Sequence, residues 1–312
     1  MHKLETKHLI GLESVSKKDI EKILDVGFIF KEVLDRPIKK VPILQGKNIL
    51  NLFFENSTRT KISFELAEKR LSADVTNFSA SSSSVKKGES LKDTIQNIQS
   101  MKMDCVVMRH PVPGSCMQLK EYVDSIIVNA GDGTHEHPTQ ALLDMMSIKE
   151  KFGKIKDLKV GIIGDILHSR VALSNIFGLV KLGAKVKVCG PPHLIQKDIE
   201  SLNVGKTYDV DELIEWADVV NVLRIQRERM GVGIIPSIRE YRDFFGITNE
   251  RILKHKKEIV IMHPGPMNRG VEIDSRVADS SQAIILDQVL NGVAIRMSVL
   301  YLLLGNNELE KK

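Results

Sequence analysis

Along this chain, short and nearly continuous apolar runs alternate with stretches of helical spacing. The runs at about 48–54, 104–108, 125–129, 159–163, 185–189, 218–223 and 258–262 read as strands buried on both faces. Between them the period lengthens. Phe64, Ala67 and Leu71 fall on one helical face, and Ser16 stands as a cap before the helical pattern from Lys17 to Leu24. Strands separated by helices predict an α/β fold built on parallel sheets. The strand runs form a first set ending near 129 and a second set beginning near 159. The lysine-rich stretch from Lys149 to Lys159, with Gly153 inside it, separates them as an expected hinge. The last apolar run, Gln282 to Leu304, predicts a long buried helix, and Arg296 and Gly292 within it argue against a membrane span. No internal repeat points to a solenoid.

Composition narrows the picture without changing it. A length of 312 residues predicts about two domains, and 42% hydrophobic with 27% charged residues fits a soluble globular protein. The net charge of +5 is spread along the chain with no basic, aromatic-interleaved stripe, so nucleic acid is not an expected partner. Three cysteines without CxxC spacing fit neither a disulfide framework nor a zinc site, and Cys105 and Cys189 lie in strand-like runs as core thiols. The opening residues Met1 to Glu5 carry no apolar leader-like stretch. A cytoplasmic location without membrane contact is the expectation.

Candidate chemistry gathers where the strands end. In open parallel sheets, ligands bind outside the carboxyl ends of the strands. After the first run come Ser57, Thr58, Arg59 and Thr60, hydroxyls and a guanidinium on the opening turn of a helix. Free N–H groups and the positive dipole end make such a turn suited to a phosphoryl dianion. An ordinary N-cap by Ser57 is the competing reading. The other ends bring Arg109-His110, then His135-Glu136-His137-Pro138-Thr139-Gln140, then Gly164-Asp165 with Arg170, then Arg224-Ile225-Gln226-Arg227, and finally His263-Pro264-Gly265-Pro266. A cationic or amide group at most ends points to anionic small molecules held between two α/β domains.

Each element has an alternative. Arg109-His110 also suits a surface corner. His135 and His137 lack a recognised ligand spacing, so no metal is expected, and a neutral His137 imidazole hydrogen-bonding a carbonyl is the better functional use. Gly161-Ile162-Ile163-Gly164-Asp165 lacks the third glycine of a dinucleotide turn, and Asp165 would repel a pyrophosphate, so no nicotinamide cofactor is expected. No GxxxxGK[ST] loop is present either. The stretch from Ser79 to Ser90 reads equally as a linker or as a lid carrying a lysine and a serine.

Taken together, Phe54 to Glu65 and His137-Pro138-Thr139-Gln140 resemble the motifs of the aspartate/ornithine carbamoyltransferase family, over nearly the full chain. Three further segments resemble its aspartate branch: Ser83 to Glu89, Arg224 to Arg229, and His263 to Gly270, the last standing where an ornithine enzyme has His-Cys-Leu-Pro. Lys61, where arginine is more usual, and Val85, where some members have glycine, are small departures. The resemblance implies two doubly wound parallel-sheet domains linked by interdomain helices. Residues 1–148, completed by a C-terminal helix over 282–312, would bind carbamoyl phosphate, and 149–281 would bind L-aspartate. It implies that Ser57, Thr58, Arg59 and Thr60 bind the phosphate. Arg109, His137 and Thr60 would polarise the carbamoyl oxygen, and Gln140 would hold the carbamoyl amide. Lys87, Arg170, Arg224, Gln226 and the Pro264-Gly265 backbone would hold aspartate. Ser83 and Lys87 would come from a neighbouring subunit of a homotrimer, with no cofactor. A regulatory chain or a dihydroorotase is a further partner the family admits.

Overall fold

The first apolar run forms β1 (Asn48–Phe53), five of whose six residues are buried, as a strand covered on both faces requires. The structure, a computed structural model, describes residues 4–79, 91–225, 237–255 and 258–305. Two compact units divide the chain, one comprising 1–146 with 290–312 and the other 147–289.

In the first unit β1, β2 (Asp74–Ser79), β3 (Cys105–His110) and β4 (Ile126–Asp132) form one parallel sheet in the order β2-β1-β3-β4. Its helices are α1 (Lys17–Leu34), α2 (Thr58–Arg70), α3 (Leu91–Ser100), α4 (Ser115–Leu119) and most of α5 (Pro138–Phe152). Ser16 caps α1 by accepting from the Asp19 N–H, as its position predicts. Leu50, Leu52, Val106, Met108 and Ile127 pack with Ile95, Cys116 and Leu119 into a continuous core. Strand β2 escapes the apolar-run reading because it is an edge strand whose residues 74–78 are half-buried or exposed.

Helix α11 (Ile285–Leu304) is long and apolar enough to cross a membrane, yet 67% of its most apolar window is buried. Its Ser298 hydroxyl donates to the Ile23 carbonyl at 2.7 Å, and its Tyr301 ring meets Phe30 edge-on at 5.7 Å. It is therefore a core helix packed on α1. Arg296 on α11 lies over the Phe64 ring at 4.9 Å and donates to Ser63 at 2.9 Å, which ties α11 to the back of α2. Burial pushes that guanidinium down to about 10, still well above neutral pH.

The second unit repeats the plan. Strands β5 (Lys159–Ile163), β6 (Lys185–Cys189), β7 (Gly205–Thr207), β8 (Val219–Val222) and β9 (Val260–Met262) lie parallel in the order β7-β6-β5-β8-β9. Helices α6 (Arg170–Lys181), α7 (Val210–Trp216), α8 (Ile238–Phe245), α9 (Asn249–His255) and α10 (Ser275–Ala278) accompany them. Ile163, Val220, Val222 and Ile261 pack with Leu213, Ile214, Ile247 and Ile273 beneath this sheet. Helices α5 and α11 each contain residues of both units. The lysine-rich stretch is thus in part the last turn of α5, which runs on to Phe152 before Gly153 takes up φ 72. The chain is α/β with two doubly wound parallel sheets.

Candidate active site

Doubly wound sheets open a crevice where the strand order reverses. In the first unit that point lies between β1 and β3, because β1 continues to β2 on one side and β3 to β4 on the other. Register sets the strand ends side by side: Phe53 pairs with Arg109, and His110 pairs with Asp132. The phosphate-type turn after β1, the arginine ending β3 and the His137 loop after β4 therefore share one edge of one sheet.

Ser57 occupies the N-cap position of α2, but its side chain makes no capping hydrogen bond. The simple cap reading fails for this reason. The hydroxyl and the opening N–H groups, which no helix can satisfy internally, have the chemistry of an anion site. Thr58 and Arg59 are exposed, Ser57 is half-buried and Thr60 is buried. Behind the turn, Phe64, Ala67 and Leu71 are all 0% exposed, so the apolar face read from the sequence anchors α2. Glu68 is also fully buried and accepts from the Asn51 amide of β1 at 2.7 Å. Desolvation pushes its carboxyl up to about 8 despite that hydrogen bond.

Arg109 is held from two directions. Its Nε lies 3.1 Å from Glu55, and its Nη1 donates to the Ala130 carbonyl of β4 at 3.1 Å. Strand β3 extends through His110, so these residues belong to the strand end and not to a surface corner. The His110 ring accepts from Val112 N–H, lies 2.7 Å from the Ser115 hydroxyl and packs edge-on against Phe54. Burial draws it below the usual imidazole range.

A network around Asp132 delivers His137. The fully buried Asp132 carboxylate accepts from Asn129 Nδ2 at 2.7 Å and Gly114 N–H at 2.8 Å, and it faces His135 Nδ1 at 3.2 Å. The hydrogen bond with Asp132 raises the His135 imidazole. A glycine is required at 133, where φ is 48 and a Cβ would stand 2.4 Å from Pro113. Glu136 turns the other way and accepts from the N–H groups of Leu12 and Glu13. Potential ligand atoms of Glu13, His135 and Glu136 lie within 4.8 Å of one another. Those Glu136 oxygens serve the backbone and His135 Nδ1 faces Asp132, so the group is a latch on the N-terminal segment and a poor metal cage. His137, 5% exposed, opens α5, and its carbonyl accepts from Gln140 N–H at 3.0 Å.

The second unit has its own reversal, between β5 and β8. Arg170 and Arg224 follow those two strands, the first buried at 3% exposure and the second half-buried. Ser169 caps α6 by accepting from Ala172 N–H, which fixes Arg170 as its first residue. Gly164 has φ 132, and a Cβ there would stand 3.0 Å from Leu223. Its glycine therefore serves strand-end packing, while Asp165 accepts from His168 N–H at 3.1 Å instead of facing a pyrophosphate.

At the end of β9 the fully buried His263 and Glu272 side chains meet at 3.2 Å. Gly265 N–H donates to His263 Nδ1 at 2.8 Å, so Nε2 carries the proton toward Glu272. Glu272 also accepts from Asn268 N–H at 2.5 Å. This relay fixes the Pro264-Gly265 backbone, a support that the sequence reading did not identify. Ser83, Lys87 and Gln226 lie outside the described residues.

Residues 7–150 match the family described as Aspartate/ornithine carbamoyltransferase, carbamoyl-P binding domain, and residues 156–303 match its Asp/Orn binding domain. The chain is 63% identical to the aspartate carbamoyltransferase catalytic subunit of Christiangramia forsetii, covering 96% of this chain and 97% of that one. It is 60% identical to that of Cytophaga hutchinsonii, covering 98% and 100%. Among solved structures it resembles aspartate transcarbamoylase from Trypanosoma cruzi in complex with N-(phosphonacetyl)-L-aspartic acid. That likeness has a TM-score of 0.89 at 31% identity, with 97% of each chain covered. The catalytic subunit of the M. jannaschii enzyme gives 0.83 at 37% identity, covering 97% of this chain and 99% of that one. Two family domains in tandem, carried on two doubly wound sheets with polar groups at both reversals, lead to one conclusion: the chain belongs to the aspartate/ornithine carbamoyltransferase family.

Proposed function

We propose that the chain transfers the carbamoyl group of carbamoyl phosphate to the amine of L-aspartate, giving N-carbamoyl-L-aspartate and phosphate, an early step of de novo pyrimidine synthesis. The observation that carries this reading is the uncapped first turn of α2, Ser57 to Thr60, set on the same sheet edge as Arg109. Relatives at about 60% identity bear the aspartate enzyme's name. The Trypanosoma cruzi neighbours were solved with carbamoyl phosphate and with carbamoyl aspartate and phosphate.

Ser57, Thr58, Arg59 and Thr60 hold the phosphate. Arg109, His137 and Thr60 receive the carbamoyl oxygen, and Gln140 faces the carbamoyl amide. Arg170, Arg224 and Gln226 bind the two aspartate carboxylates with Lys87, beside the Pro264-Gly265 backbone. The aspartate amine attacks the carbamoyl carbon, and the tetrahedral oxyanion is held by Arg109, His137 and Thr60. The C–O bond to phosphate then breaks, and the departing phosphate takes the proton from the ammonium nitrogen. No side-chain nucleophile is needed. Orientation of the two substrates supplies much of the rate.

In this reading 1–148 with the C-terminal helix is the carbamoyl-phosphate domain and 149–281 the aspartate domain. The working species is a cytoplasmic homotrimer in which a neighbouring subunit supplies Ser83 and Lys87, open to a regulatory chain or a dihydroorotase. A carbamoyl-transfer assay with aspartate and ornithine as competing acceptors tests the substrates. Turnover with aspartate alone is expected, and turnover with ornithine alone overturns the assignment. Light scattering of the eluted protein tests the trimer, and a monomeric mass in the active fraction would contradict it.

A further inference from the structure

Gln140 and Asp144 stand one turn apart on α5 and are both buried, at 8% and 0% exposure. Gln140 Nε2 donates to Asp144 Oδ1 at 2.9 Å. A carboxylate can only accept, so the amide has one favoured orientation, with its nitrogen toward Asp144 and Oε1 turned away. Gln140 sits on the same turn as His137, whose carbonyl accepts from Gln140 N–H.

We propose that Asp144 is a positioning residue that fixes the polarity of the Gln140 amide, presenting Oε1 as the acceptor for the –NH2 of the substrate and so selecting a carbamoyl over an acetyl group. The proposal rests on the reading of Gln140 given above. Carbamoyl phosphate and acetyl phosphate have nearly the same shape and differ by an amine in place of a methyl. An oxygen aimed at that position gains a hydrogen bond from the amine and is left unsatisfied by the methyl. Turned over, the amide would set its own –NH2 against the substrate's, and the discrimination would vanish.

The test is a double-mutant cycle on the full-length protein, reading kcat and KM for carbamoyl phosphate, KM for aspartate, and inhibition by acetyl phosphate and by inorganic phosphate. An asparagine at 144 can donate and so permits the flip. Asp144→Asn is expected to lower kcat/KM for carbamoyl phosphate about 10-fold or more and to narrow the preference over acetyl phosphate. Inorganic phosphate inhibition and KM for aspartate should stay within about 2-fold, the margin of a neutral change. Gln140→Met should lose a similar factor, and adding Asp144→Asn to it should cost nothing more. Additive losses in the double variant, or a parallel loss of phosphate affinity, would mark Asp144 as merely structural and overturn the proposal. Should Asp144→Asn fail to fold, Gln140→Met decides: a loss confined to carbamoyl phosphate supports the proposal, and equal loss for both acyl phosphates overturns it. If the wild-type protein transfers no carbamoyl group, the reading of Gln140 falls and takes the proposal with it. A wild type that transfers normally beside an unchanged Asp144→Asn variant overturns the positioning role alone.

Discussion

Under the proposed function the two strand-order reversals would meet anions with different devices. In the first unit the candidate groups cluster at one helix terminus: the uncapped α2 turn with its N–H groups, hydroxyls and Arg59, and Arg109 held against Glu55 and Ala130 beside it. In the second they are separated guanidiniums, Arg170 opening α6 and Arg224 following β8, with the backbone at Pro264-Gly265 fixed from behind by His263 and Glu272. A compact phosphoryl dianion suits clustered N–H groups at one helix end, whereas a dicarboxylate needs separated, planar, two-pronged donors. Under the proposed function the difference gives each unit one substrate and says how each should fail.

The largest effect should come from the first unit. Arg59→Ala is expected to lower kcat/KM by at least about 10²–10³ and His137→Ala by a similar factor, with thermal unfolding shifted little, because each removes charge or donors from the developing oxyanion or its leaving group. Steady-state kinetics beside thermal scans checks this, and a large drop in Tm with normal turnover would reverse the roles. Next, Arg170→Ala should act mainly through aspartate, raising its KM about 10-fold or more while carbamoyl phosphate binding is unchanged. A raised Kd for carbamoyl phosphate in that variant would blur the division between the units. A smaller loss is expected for Glu272→Gln. Its amide still accepts from His263 but no longer as a charge, so KM for aspartate should rise a few-fold. An unchanged KM would show that the His263 relay does not shape the loop.

The last effect concerns stability and leaves turnover alone. Glu68 holds a proton up to about 8 in the fold, whereas an unfolded carboxyl loses it near its ordinary value. Between those values the native state binds more protons, so Glu68 makes stability fall as pH rises, by on the order of a few kcal/mol at pH 8. Glu68→Gln, a permanent neutral mimic, should flatten that decline. Tm curves for the two proteins from pH 5 to pH 8 should therefore diverge with rising pH, and parallel curves would contradict the buried neutral carboxyl.

What could be read from the chain follows the range of the forces involved. Ser57 to Thr60 stood out because strand, turn and helix start are contiguous in sequence and their chemistry is local. Buried strands such as β1 and β8 announced themselves as apolar runs. The edge strands β2 and β7 did not, since one is largely uncovered and the other has three residues, Gly205–Thr207. The sheet orders that bring Arg109 beside β1, and β8 beside β5, depend on long-range pairing that no local pattern records. The supporting groups were hidden for a related reason. Asp144 looks like one polar residue on a buried helix until its spacing of four from Gln140 is noticed, a signal that was available. His263 and Glu272 meet only because a loop folds back over nine positions.

The division of labour is tested most directly by titrating carbamoyl phosphate, in the absence of aspartate, into the wild-type, Arg59→Ala and Arg170→Ala proteins by calorimetry. Saturable binding is predicted for the wild type and for Arg170→Ala with the same Kd, and binding weakened by about 100-fold or more for Arg59→Ala. Wild-type affinity in a correctly folded Arg59→Ala protein would contradict the assignment of the α2 turn to the phosphate.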